Sequence, residues 1–182
     1  MQFRLSFITT LSLLLSMVLL VGAHTAGAAT ADATINSISS AGVGVSLGTV
    51  IFTDITQGLT IDPKLSGLPP GDHGFHIHEK GDCGPGMNQG KVAAGFAAGG
   101  HFDPAQTKKH LGPLSTDGHR GDLPILLVDS RGDATTTIVA PHLTVDQIRG
   151  HSIMIHAGGD NYSDIPAPLG GGGARIGCGV IH

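Results

Sequence analysis

The stretch Val43-Gly44-Val45-Ser46-Leu47-Gly48-Thr49-Val50-Ile51-Phe52 decides the class of the fold. Its β-branched and aromatic residues suit a pleated, half-buried surface and lose side-chain freedom in a helix. A second short run of the same kind follows at Leu59 to Ile61. Further candidates lie at His73 to Glu79, Leu123 to Asp129, Ala134 to Ala140, His151 to Ala157 and Arg175 to Ile181. Glycine and proline punctuate them, as in Gly67-Leu68-Pro69-Pro70-Gly71 and Ser130-Arg131-Gly132-Asp133, the residues that turns between short strands require. About seven strands with turn signals predict an all-β protein, an antiparallel sandwich or barrel. The single predicted helix is short, with Thr144 as N-cap and Gln147 three residues on. With no internal repeat and no linker, one domain is expected over residues 29–182.

Residues 1–28 read differently. Arg4 is their only charge, an apolar run follows from Phe7 to Gly22, and small residues offer cleavage after Ala23 or Ala28. This is the form of a secretory signal peptide; the run is short and interrupted by Thr and Ser, which disfavours an uncleaved anchor. Export changes the reading of Cys83 and Cys178, the only two cysteines. In an oxidising compartment a disulfide is expected, worth about 4–5 kcal/mol for a loop of that length on the chain-entropy model; two free buried thiols are the alternative. Without Arg4 the chain keeps nine basic and fourteen acidic residues, a formal charge of −5, which disfavours nucleic acid and anionic membranes as partners. Tyr occurs once and Trp not at all, so stacking platforms for bases or sugars are not expected.

Two connections exceed ordinary turns, Lys80 to Gly121 and Gly158 to Ala174, and loops of that length are commonly functional. The first holds Cys83, His101, His110 and His119, and nearly reaches Asp122. His76 and His78 lie at i and i+2, hence on one face of a strand, and His156 ends another apolar run. Neutral imidazole binds copper and zinc, and carboxylate oxygen is an acceptable zinc ligand. His101, His110, His119 and Asp122 supply three nitrogens and one oxygen, a closed tetrahedral set of structural type. His76, His78 and His156 with a share of His101 would complete a copper set, provided that His101 loses both ring protons and bridges as imidazolate. Two divalent ions less two anionic ligands leave about +2 at the site, and a disulfide would bring in Arg175, three residues before Cys178. Such a positive pocket in an acidic protein suits a small anion.

These residues sit in segments that closely resemble secreted bacterial copper/zinc superoxide dismutases. They include His73-Gly74-Phe75-His76-Ile77-His78, Gly81-Asp82-Cys83, Gly99-Gly100-His101-Phe102-Asp103-Pro104 and Lys109-His110-Leu111-Gly112-Pro113. Further on come Gly118-His119-Arg120-Gly121-Asp122-Leu123-Pro124, Ile155-His156-Ala157-Gly158-Gly159-Asp160-Asn161 and Ala174-Arg175-Ile176-Gly177-Cys178-Gly179-Val180-Ile181. The match spans nearly all of the chain after the leader and is weakest before Val43. It implies a Greek-key β-sandwich or flattened barrel of about eight strands with two long functional loops. It implies copper on His76, His78, His101 and His156, and zinc on His101, His110, His119 and Asp122, one ion of each per subunit. Asp160 resembles the family's carboxylate that orients a ligand of each metal, Arg175 the residue that guides and docks the anion, and Cys83 and Cys178 the family's disulfide pair. The implied reaction is disproportionation of superoxide to dioxygen and hydrogen peroxide, with copper alternately reduced and reoxidised and His101 carrying a proton. Antioxidant defence in the periplasm is the implied setting, with extracellular release as the alternative; family members occur as homodimers and as monomers. Of the remaining histidines, His73 is expected to be buried under the loops, His151 to face away from His156, and His24, His142 and His182 to have no role.

Overall fold

The computed structural model describes residues 27–182; the expected signal peptide lies outside them but for its last two positions. Eleven strands form among the described residues, and three of them, the ten-residue first strand and two of three residues in a small hairpin, are absent from the sequence reading. The first is β1 (Thr30–Ser39), followed by β2 (Gly42–Ile55), β3 (Gly58–Leu65), β4 (Gly71–His73) and β5 (Phe75–His78). A small hairpin of β6 (Gly86–Asn88) and β7 (Lys91–Ala93) lies inside the first long connection. β8 (Leu126–Val128), β9 (Ile138–Ala140), the helix α1 (Val145–Ile148), β10 (Ser152–His156) and β11 (Arg175–Val180) complete the chain. The predicted cap holds: Thr144 precedes α1, and its N–H donates to Gln147 Oε1 at 3.1 Å, so two end groups of the helix are satisfied reciprocally.

Seven strands make one curled antiparallel sheet in the order β5-β10-β11-β1-β2-β3-β9, while β4 pairs with β8 and β6 with β7. The expected run His73 to Glu79 is split at Gly74, whose N–H donates to Gly158 O at 2.8 Å and whose carbonyl accepts His156 N–H at 2.9 Å. β4 can therefore turn to β8 while β5 pairs with β10. The runs at Leu123 to Asp129 and Ala134 to Ala140 shorten to their last or central residues, Pro124 lacking the N–H that a ladder needs.

The inside of the curl is the core. Alternation delivers Ala31, Ala33 and Ile35 from β1, Val50 and Phe52 from β2, Leu59 and Ile61 from β3, Phe75 and Ile77 from β5, and Ile153 and Ile155 from β10. The opposite face of β5, β10 and β11 is not left to water. Met154 and Cys178 there join Ile38 and Ala98 in a second, smaller cluster, over which the long loops lie. Cys83 is bonded to Cys178 across 95 residues, so the first loop is fastened to β11. Among the described residues no helix is long and apolar enough to cross a membrane.

Candidate metal centre

Strand period places the site. In β5 the side chains of Phe75 and Ile77 go to the core, so His76 and His78 emerge on the outer face; in β10 the same rule sends Ile153 and Ile155 inward and His156 outward. Cross-strand register sets Met154 opposite His76 and Arg175 opposite His156. The first long loop then folds back on β5: Ile77 N–H donates to Gly121 O at 2.9 Å and Phe102 N–H to Ile77 O at 2.8 Å. These bonds set His101 beside His78 and Asp122 beside His76.

All six imidazoles and the Asp122 carboxylate are buried. The ring of His76 stacks on that of His101 with centroids 3.9 Å apart. Ligand atoms of His76, His78, His101 and His156 all lie within 4.8 Å of one another, and so do those of His76, His101, His110 and Asp122. His119 falls outside that second compact group, yet its Nδ1 is 3.3 Å from Asp122 Oδ1. His101 Nδ1 is 2.9 Å from the same oxygen, and His110 Nδ1 is 3.0 Å from Oδ2. Ligands of a tetrahedral ion bonded at 2.0–2.1 Å stand about 3.3 Å apart, close to what these four residues show.

The decisive observation among the described residues concerns six buried ring nitrogens that make no well-aligned hydrogen bond: His76 Nδ1, His78 Nε2, His101 Nε2, His110 Nδ1, His119 Nδ1 and His156 Nε2. Of these, His110 Nδ1 and His119 Nδ1 lie close to Asp122 oxygens but out of line with them. Buried polar atoms are normally paired, and leaving one unpaired costs about 1–3 kcal/mol. Six together, converging from separate segments, fit a set of metal ligands. The other nitrogen of four of these rings donates outward and fixes tautomer and orientation. His76 Nε2–H and His110 Nε2–H donate to the two oxygens of Asp160, each at 2.8 Å. His78 Nδ1–H donates to Gly99 O at 3.1 Å and His156 Nδ1–H to Gly173 O at 3.4 Å. Gly170 passes so close to Asp160 and His110 that a Cβ there would overlap both.

At His76, His78, His101 and His156 electrostatics favour the neutral imidazole that ligation needs; His110 is the exception, and an ion there must displace a proton. Burial, helped by charge on neighbouring rings and Arg175, holds the imidazolium forms of His78 and His156 well below the usual range. Burial and His76 carry His101 down to about 3 against the pull of Asp122. For His110 burial is outweighed by Asp122 and Asp160, which raise it to about 9. Burial also opposes ionisation of Asp122 and Asp160, but their histidine partners keep both carboxylates well below the usual range.

Arg175 lies beside this cluster, half-buried. Its Nη1–H donates to Gly95 O at 2.7 Å and Nη2–H to Gly99 O at 2.8 Å, while the guanidinium carbon sits 4.2 Å from the Phe96 ring centroid. Burial lowers its pKa to about 10, so it remains a cation at neutral pH. Gly99 O thus accepts from both His78 and Arg175.

The structure brings together His76, His78, His101, His110, His119, Asp122 and His156, with Asp160 and Arg175 against them; of the remaining histidines, His24 lies outside the described residues. His73 is buried, its ring nitrogens 2.6 Å from His156 O and 2.8 Å from Pro69 O. His151 Nδ1–H donates to His78 O at 3.0 Å. His142 does have a structural part, since its carbonyl accepts Arg120 Nη1–H at 3.2 Å. Sequence reading missed the carbonyls of Gly95, Gly99 and Gly173, whose direction is a matter of backbone torsion, and it missed the loop side chains Tyr162 and Asp164.

The family described as copper/zinc superoxide dismutase (SODC) matches residues 46–181. Superoxide dismutase [Cu-Zn] of Escherichia coli K12 is 50% identical over 168 residues, 92% of this chain and 96% of the relative. The structure of Cu/Zn superoxide dismutase from Brucella abortus superimposes with a TM-score of 0.82 at 46% identity, covering 85% of this chain and 100% of that one. The solution structure of the monomeric copper, zinc enzyme from Salmonella enterica gives 0.75 at 49% identity, with 85% and 100% covered.

Proposed function

The chain belongs to the copper/zinc superoxide dismutase family, and we propose that its buried imidazoles divide into two ligand sets joined at His101. The enzyme converts two superoxide anions and two protons into dioxygen and hydrogen peroxide, and it uses copper and zinc. In this reading His76 Nδ1, His78 Nε2, His101 Nε2 and His156 Nε2 hold copper; His101 Nδ1, His110 Nδ1, His119 Nδ1 and Asp122 hold zinc. The assignment is carried by the six buried ring nitrogens that make no well-aligned hydrogen bond, which supply every histidine position but one. The remaining atom, His101 Nδ1, faces Asp122.

Copper, when bound, supplies the one-electron chemistry, taking an electron from one superoxide and giving it to the next. The residues do the rest. With Nδ1 committed to the Asp122 side, His101 can take up and release a proton only at Nε2, on the side where peroxide forms. Asp160 accepts the Nε2–H of both His76 and His110 and so turns Nδ1 of each toward the metal side; at His110 the ion takes the place of the proton that Asp122 and Asp160 otherwise favour. The low proton affinity of His78 and His156 keeps their lone pairs available. Arg175, held by two carbonyls and an aromatic face, is the fixed cation that docks superoxide.

Residues 1–28 are proposed as a signal peptide that directs the domain 29–182 to the periplasm, where the Cys83–Cys178 bond is stable. A monomer, the state named for the Salmonella relative, is the assembly adopted here; sedimentation would reveal a homodimer at twice the mass. The ligand assignment is tested by metal quantification of the processed protein beside a superoxide-decay assay with and without chelator. One copper and one zinc per chain with chelator-sensitive turnover is expected; a chain holding neither ion would refute it.

A further inference from the structure

The loop of residues 158–174 carries two carboxylates that reach the same histidine from opposite ends. Asp160 accepts the ring Nε2–H of His110 at 2.8 Å, and Asp164 Oδ2 accepts the main-chain N–H of His110 at 2.9 Å. The other oxygen of Asp164 accepts Leu169 N–H at 3.1 Å, so one side chain closes its own loop and fastens it to the first long loop. Tyr162, between the two, donates its N–H to Asp160 Oδ1 at 2.7 Å and accepts Ile125 N–H on its hydroxyl at 3.0 Å. Its side chain lies so close to Gly112 that a Cβ there would collide with it, and Gly112 N–H donates to Asp122 Oδ2 at 3.3 Å. The contacts of Asp164 go to His110 and to its own loop, and none goes to His76, His78 or His156.

A ring hydrogen bond fixes an imidazole's plane; it does not fix where the residue's backbone sits. Both are needed to aim Nδ1. We propose that Asp164 is a positioning residue that holds His110, through its main-chain N–H, in the geometry that retains zinc. The proposal rests on the zinc ligand assignment above. Retention of zinc then depends on a residue that touches neither ion.

The test uses the full protein loaded with both metals and mixed with an excess of a metallochromic chelator, following each ion separately. Asp164→Asn replaces one acceptor by an N–H₂ that opposes a backbone N–H; Asp164→Ala removes both acceptors. Asp129→Asn, which alters an exposed turn at Arg131 and Asp133, is the control. Zinc release should quicken about tenfold in both Asp164 variants, the lower end of what outer-shell partners of a metal contribute, with copper release within about twofold of the control. The sole tyrosine, Tyr162, with no tryptophan in the chain, reports separation of the loops by its fluorescence, which should become more accessible to a soluble quencher in step. Cobalt placed in the zinc position should show an altered visible band. Zinc release at the control rate would overturn the proposal. So would equal acceleration of both metals with a lowered melting temperature of the metal-free protein, the mark of general loosening. Failure of the unsubstituted protein to hold zinc would instead sink the ligand assignment, and this proposal with it.

Discussion

Breaking the bond between Cys83 and Cys178 by Cys83→Ala tests how far the outer layer depends on its covalent tie. Cys83 is half-buried and packs on the cluster of Ile38, Ala98, Met154 and Cys178; the partner is left as a buried thiol, which behaves as a small apolar group. The bond spans 95 residues, and removing that constraint lets the unfolded chain regain an entropy worth about 4.7 kcal/mol at 25 °C. A domain of about 150 residues unfolds with an entropy of about 0.3 kcal/mol per kelvin near its midpoint, so the melting temperature should fall by about 15 °C. Calorimetry must use metal-free protein, because bound ions add their own stabilisation by mass action. A fall smaller than about 4 °C would refute the reasoning: the long loop would already be restrained in the unfolded chain, or the native bridge would carry compensating strain.

Replacing Arg175 by Ile should leave both metals bound, lower the rate on the order of tenfold and flatten its dependence on ionic strength; unchanged rates across a salt series would rule out steering by this residue. His119→Ala should abolish zinc retention by more than the roughly 10–100-fold of an outer-shell change while copper stays, as metal analysis would show. Gly99→Ala forces a side chain into φ 77°, ψ −154° and against Glu79, a strain of about 1–3 kcal/mol, and displaces the carbonyl shared by His78 and Arg175; copper affinity and turnover should fall together. In the metal-free protein, His101, lowered to about 3, binds no proton where the unfolded chain does. Its contribution to stability is therefore present above about pH 6.5 and lost as the pH falls toward 3, with His78 and His156 acting in the same direction. His110, raised to about 9, contributes fully below about pH 6.5 and loses its contribution as the pH rises through 9. Urea titrations should thus find a maximum near neutrality, and stability climbing steadily to about pH 9 would contradict the reading of His110.

What could be read from the chain, and what could not, divides by physical cause. β2, β5 and β10 were legible because large β-branched residues alternate or run together. β1 was not, because two of its inward residues are Ala31 and Ala33, too small to mark a buried face by hydrophobicity. The β6–β7 hairpin has Met87 and Val92 exposed and so lacks a one-sided pattern. Metal ligands announce themselves by residue type, since six imidazoles have few other reasons to converge. Their supports do not: Gly99 O and Gly173 O are backbone atoms present in every residue, and Asp164 looks like any loop carboxylate until the fold brings it to His110.

On β5 and β10 the apolar core and the imidazoles occupy alternate residues on opposite faces. A slip of one position in pairing β10 would send Met154 and His156 inward and turn Ile153 and Ile155 out beneath the loops. The same alternation therefore writes two instructions at once, one for packing and one for chemistry. On the ligand assignment proposed above, the imidazoles of β5 and β10 meet only when both strands are in the native alignment, so the alignment that packs the core is also the one that assembles the site.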